Sequence, residues 1–178
     1  MNAQEAENLL TTWIDNHALQ HHCRMVSKAM EAYARLLQKD EDTVHQWWLA
    51  GLLHDLDWEK HPDQHPNYAL KHILPNLGIS DEALNAIRTH APERTGMHPE
   101  TEIECYLFAC DELCGFMHAV SLMRPDGFMG MTPKSVTKKL KDSKFAANVS
   151  RDDILRGTQL IKKDLNEHIE FLVSVFAK

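Results

Sequence analysis

His54 and Asp55 stand side by side at the end of an apolar run, in the stretch Leu52 to Glu59, LLHDLDWE. Placing an imidazole and a carboxylate against a core is costly unless both are compensated. A divalent metal ion compensates both. The question is then whether the chain brings further nitrogen and oxygen donors to the same place. His22 falls on the apolar stripe Val26, Ala29, Tyr33, Leu36, whereas its neighbour His21 is in phase with the more polar line Met25, Lys28, Ala32. Asp111 shares a face with Leu107, Cys114 and His118, a carboxylate among apolar groups that needs a partner. A single such histidine is more often a hydrogen-bonded core residue, and a single such aspartate a cap or ion-pair partner. His22, His54, Asp55 and Asp111 together point to a mixed imidazole–carboxylate site suited to manganese, iron, cobalt, nickel or zinc, with magnesium also admissible.

The elements that must position these residues all read as helices. Residues 3–15 form a short amphipathic helix, with Asn16 suited to its end. A second helix covers about 19–37 and carries His22. Asp40 to Asp42 offer a cap and first-turn charge for a third, about 43–54, whose WWLAGLL is apolar all round and ends at His54. Gly51 there lets another backbone come close. A loop, KHPDQHP, leads to a short helix at about 67–74, and Ser80 caps the next, which runs to His90. Residues 91–101, with two prolines and a glycine, read as a loop. A long helix covers about 102–123, a short basic one 134–141, and a last helix about 150–177. There is no repeat and no convincing strand pair, so the class is all-α.

Composition sets the bounds. At 178 residues the chain fits one domain, and 43% hydrophobic with 25% charged residues is ordinary for a soluble globular protein. A formal charge of −7 argues against general nucleic-acid binding. No apolar run is long enough to span a bilayer, so no membrane association is expected and the cytoplasm is the default location. Cys23, Cys105, Cys110 and Cys114 lack CxxC spacing and read as small core residues of a reducing compartment. Twelve histidines are a surplus that fits the metal reading.

The order His…His-Asp…Asp on helices, with AGLLHD before the pair, resembles the HD superfamily of metal-dependent phosphohydrolases. HDLDWEKHPDQHPNYALKHIL, AIRTH, CDELCGFMHAV and SVTKKLKDSKFAANVSRDDI resemble successive blocks of a small-protein branch, spread over most of residues 19–160. The resemblance implies a single-domain helical bundle, with its core over about 19–123 and a C-terminal helical extension over about 132–177. His22, His54, Asp55 and Asp111 would hold one metal ion. His65 and His90 match the next two histidines of binuclear members, in which Asp55 would bridge to a second ion. Ala91 follows His90 where the cyclic-dinucleotide branch has a second histidine and a glutamate, and no GYP appears, so that specialisation is not implied.

The activity implied is hydrolysis of a small phosphate ester, a nucleotide among the candidates, by water activated at the metal. Asp57 or His90 would act as the base if one ion is bound, and Asp57 reads equally as a cap on the turn after the pair. Phosphate needs positive charge beyond the metal, for which Arg124 and the face formed by Lys134, Lys138 and Lys141 are candidates. A lysine run is also commonly just a solvated face. Two alternatives stay open: a non-catalytic module that senses a nucleotide or metal, and a di-iron site acting on dioxygen. A homo-oligomer is compatible with all three.

Overall fold

The computed structural model describes residues 1–177, and among them every regular element is helical. The all-α expectation holds. The chain forms two compact units, Met1–Phe108 and a second from Ala109 onward, with the boundary falling inside one helix.

The first unit contains α1 (Ala3–Trp13), α2 (His17–Leu36), α3 (Glu41–Leu53), a 3-10 turn at Pro62–Gln64, α4 (Asn67–His72), α5 (Asp81–Thr89), α6 (Pro92–Thr95) and the start of α7 (Glu102–Leu122). Asn2 and Glu5 form a reciprocal capping box at α1. Asn16, expected at the end of α1, instead opens α2: its side-chain oxygen accepts from the Ala18 and Leu19 N–H groups. An Asn oxygen serves the unpaired donors of a helix start better than the carbonyls of a helix end. Asp40 and Ser80 cap α3 and α5 as expected. The segment 91–101 is not wholly loop. Pro92 occupies the first turn of the four-residue α6, and Gly96, at φ 70°, ends it.

Helices α2 and α3 are the principal pair of this unit. Cys23, Val26, Ala29, Met30 and Tyr33 on α2 and Leu49, Ala50, Leu52 and Leu53 on α3 are fully buried. Each buried leucine or valine of this kind stabilises the fold by roughly 1.5–3 kcal/mol. Gly51 sets how closely the helices approach. A Cβ there would lie 2.7 Å from Ser27 Cα and 2.9 Å from the Val26 carbonyl carbon. One carboxylate oxygen of Glu59 accepts from the Asp15 and Asn16 N–H groups at 3.0 and 2.9 Å, tying the α1–α2 turn to the segment after His54-Asp55.

The second unit contains the rest of α7, then α8 (Pro133–Leu140), α9 (Arg151–Leu160) and α10 (Leu165–Phe176). The single last helix expected over 150–177 is two helices. Lys162, at φ 55°, terminates α9, and the Asp164 side chain accepts from Asn166 N–H to start α10. Gly157 of α9 sits against α7, since a Cβ there would meet Ala109 Cα at 2.7 Å. His168 of α10, fully buried, donates from Nε2 to the Ala109 carbonyl at 3.0 Å. Cys23, Cys110 and Cys114 are buried thiols and Cys105 is half-buried; none is in a disulfide. No helix among the described residues is long and apolar enough to cross a membrane.

Candidate metal centre

Two of the candidate donors end their helices in the same way. His54 is the C-cap of α3 and His90 the C-cap of α5. The last carbonyls of a helix lack intrahelical partners, and a histidine in the last turn can serve them. His54 Nδ1 donates to the Gly51 carbonyl at 2.8 Å, and His90 Nδ1 donates to the Ile87 carbonyl at 2.6 Å. A carbonyl can only accept, so the proton of each neutral ring sits on Nδ1 and the lone pair on Nε2.

His65 reaches the same state by another route. It precedes α4, and its Nδ1 donates to Asp57 Oδ1 at 2.7 Å. The other oxygen of Asp57 accepts the Ala69 N–H, an unpaired donor of the first turn of α4, also at 2.7 Å. Asp57 is fully buried with both oxygens engaged. It therefore stands behind His65, as an orienting group and a cap combined.

The Nε2 atoms converge on Asp55. Oδ2 of Asp55 lies 3.4 Å from His54 Nε2 and 3.7 Å from His22 Nε2. Oδ1 lies 3.4 Å from His65 Nε2 and 3.8 Å from His90 Nε2. One carboxylate thus presents one oxygen to each of two histidine pairs. His22, His54 and Asp55 form one group with metal-compatible spacing, and Asp55, His65 and His90 another. Of the adjacent histidines on α2, His22 is the half-buried one and His21 is exposed, as the helical phase predicts.

The electrostatics test whether this donor set fits a cation. His65 Nε2 and His90 Nε2 are 3.1 Å apart, and His22 Nε2 and His54 Nε2 are 3.3 Å apart. With Nδ1 committed on both His65 and His90, two lone pairs face each other at hydrogen-bond distance. That arrangement is repulsive unless positive charge lies between them. Burial alone would raise the Asp55 carboxyl; positive charge around it, at His54 first and then at His90 and His22, holds it well below the usual carboxylate range, and when those rings are neutral that charge has to come from an ion among them. An ionised carboxylate among lone-pair nitrogens is the chemistry of a divalent-metal site, and the residues fit the ion.

The remaining candidates lie in the second unit. Asp111 is half-buried on α7. Burial, and after it the negative charge of Asp111, pushes the neighbouring Cys110 thiol up, and Cys114 behaves alike. Arg124 donates from Nε to the Gly127 carbonyl and from a terminal nitrogen to the Met129 carbonyl, each at 2.9 Å, and so braces its own turn. Lys134, Lys138 and Lys141 are exposed.

Sequence reasoning did not find the supporting carbonyls of Gly51 and Ile87, nor the aromatic ring of Trp58 that lies beside His65. A histidine closing a helix, three residues after the carbonyl it serves, is a local signal that could have found the first two. Comparison with known protein families matches the model described as HD domain to residues 19–115, more than half of the chain. No curated protein and no solved structure matches it.

Proposed function

The chain belongs to the HD-domain family, and on that premise we propose that it is a metal-dependent phosphohydrolase acting on a small phosphate ester. The observation that carries this reading is the division of the Asp55 carboxylate, Oδ2 towards His22 and His54, Oδ1 towards His65 and His90. The arrangement supports two divalent ions sharing Asp55, and we assign Asp111 as a further carboxylate ligand on the strength of the family's motif order.

When bound, such ions lower the pKa of water and stabilise charge on a phosphoryl group. The protein's own residues do the preparatory work. Gly51, Ile87 and Asp57 fix the tautomers of His54, His90 and His65, so that each ring in its neutral form offers the Nε2 lone pair. His54, His65 and His90 are buried, while the Asp55 and His22 side chains keep some exposure. Asp57, enclosed behind His65, is a positioning residue in this scheme. His90, of the two base candidates, faces Asp55 and belongs with the ligands. Arg124, Lys134, Lys138 and Lys141 remain the proposed phosphate-attracting charges, and their contribution is separable by mutation.

Elemental analysis of the purified protein, followed by a phosphate-ester panel with the metal found, tests the reading. One or two divalent ions per chain and hydrolysis of at least one ester are expected, both lost in His54→Ala and Asp55→Ala. Hydrolysis that persists in a metal-free variant would sink it.

A further inference from the structure

Beside His65 stands an aromatic–cationic stack that the hydrolytic scheme does not use. Trp58 follows Asp55 by three residues, and Arg94 follows His90 by four. The Trp58 ring meets His65 at a centroid separation of 5.0 Å and an interplanar angle of 88°. The Arg94 guanidinium lies over the Trp58 ring, 4.7 Å from its centroid. Arg94 is fixed there by donating from a terminal nitrogen to the Pro62 carbonyl at 2.6 Å, while its Nε stays 3.7 Å from Glu93.

Trp58 is 39% exposed although it touches a buried metal-ligand candidate. Tryptophan is highly buried on average, and a large exposed ring at a site is more informative than a scattered surface leucine. Exposed indole and guanidinium planes are also what planar rings stack on. The stack is built on the turn after Asp55 and on α6, which follows directly on the end of α5 that carries His90.

We propose that Trp58 and Arg94 form a leaving-group subsite on the His65–His90 side of the centre, selecting phosphate monoesters whose leaving group carries a planar aromatic or heteroaromatic ring. This rests on the phosphohydrolase reading and adds a substrate preference to it. Trp58 is the specificity-determining contact, and Arg94 both stacks and holds the indole in place.

The test compares nucleoside 5′-monophosphates with ribose 5-phosphate, which share the scissile bond and differ by the base. Wild-type protein, loaded with its native metal, should favour the nucleotide. Trp58→Leu and Arg94→Ala should each lower kcat/KM for the nucleotide about tenfold, mainly through KM, from the lost stacking. Ribose 5-phosphate should be turned over within about twofold of wild type, metal content should be unchanged, and Trp58→Phe should keep most of the preference. Equal losses on both substrates, or loss of metal in Trp58→Leu and Arg94→Ala, would reduce the pair to a support for His65 and overturn the subsite. Wild-type hydrolysis of both esters without preference would also overturn it, leaving the phosphohydrolase reading intact. Failure of the wild type to hydrolyse any ester would overturn both.

Discussion

Asp57 gives its two carboxylate oxygens to two different tasks, Oδ1 to His65 Nδ1 and Oδ2 to the Ala69 N–H, each at 2.7 Å. An isosteric amide cannot do both. In Asp57→Asn the amide NH2 must face either a ring N–H or a backbone N–H, and a donor then meets a donor. Loss of a partner that orients a metal-ligating histidine typically costs 10–100-fold in metal affinity, and about that loss is expected on the His65–His90 side. Isothermal titration with a divalent ion should show one weakened site beside one of wild-type affinity. Uniform weakening of both would place Asp57 elsewhere in the scheme.

In the proposed scheme Asp55 is shared and each histidine pair is not, so stoichiometry distinguishes them. His90→Ala should bind one fewer ion than wild type, and Asp55→Ala should bind none. Ion binding to the folded chain also stabilises it, by about 2.7 kcal/mol at a free concentration a hundred times Kd. Thermal unfolding with and without chelator should therefore show a large shift in wild type, a smaller one in His90→Ala and none in Asp55→Ala. An unchanged shift in Asp55→Ala would contradict the sharing.

The cluster of His22, His54 and Asp55 was legible because helical phase is a local property. His22 keeps step with Val26 and Ala29 while His21 does not, and the structure buries them accordingly. His65 and His90 came from family resemblance alone, since neither lies in a run whose period marks it. Asp57 was ambiguous for a physical reason: its partners, His65 and Ala69, are brought to it by the path of the loop 58–66, which no periodicity describes. The C-terminal misreading has a similar cause. Apolar phase continues across Lys162 and Lys163, and only the left-handed backbone at Lys162 shows that the helix stops.

Gly51 has two functions, close approach of α2 and a carbonyl for His54. Gly51→Ala removes neither the carbonyl nor the helix, and alanine is the better helix former. The added methyl would nevertheless meet the Ser27 backbone at 2.7 Å, so α2 must move away from α3. Overpacking of this kind costs about 1–3 kcal/mol, more than the propensity gain of about 1 kcal/mol. Since α2 carries His22 and α3 ends at His54, metal affinity should fall together with stability. A urea midpoint at or above wild type would show that the contact yields easily.

His168 supplies a pH dependence of its own. Burial lowers its pKa from 6.5 to about 4, against an opposing effect of the hydrogen bond to Ala109 and with a further lowering by Lys163. The folded state holds the ring neutral while the unfolded chain protonates it near its ordinary value. Between about 6.5 and about 4 the unfolded state thus binds the extra proton, so stability is fully present above 6.5 and is lost as pH falls through this window. The loss attributable to this ring approaches about 3 kcal/mol at the lower end, at 1.36 kcal/mol per unit. His168→Gln can still donate to the Ala109 carbonyl but does not titrate. Denaturant unfolding of the two proteins should give a stability difference that changes by that order between pH 7 and pH 4, in favour of the glutamine variant at low pH. A difference independent of pH would show that His168 is solvated or already protonated in the fold.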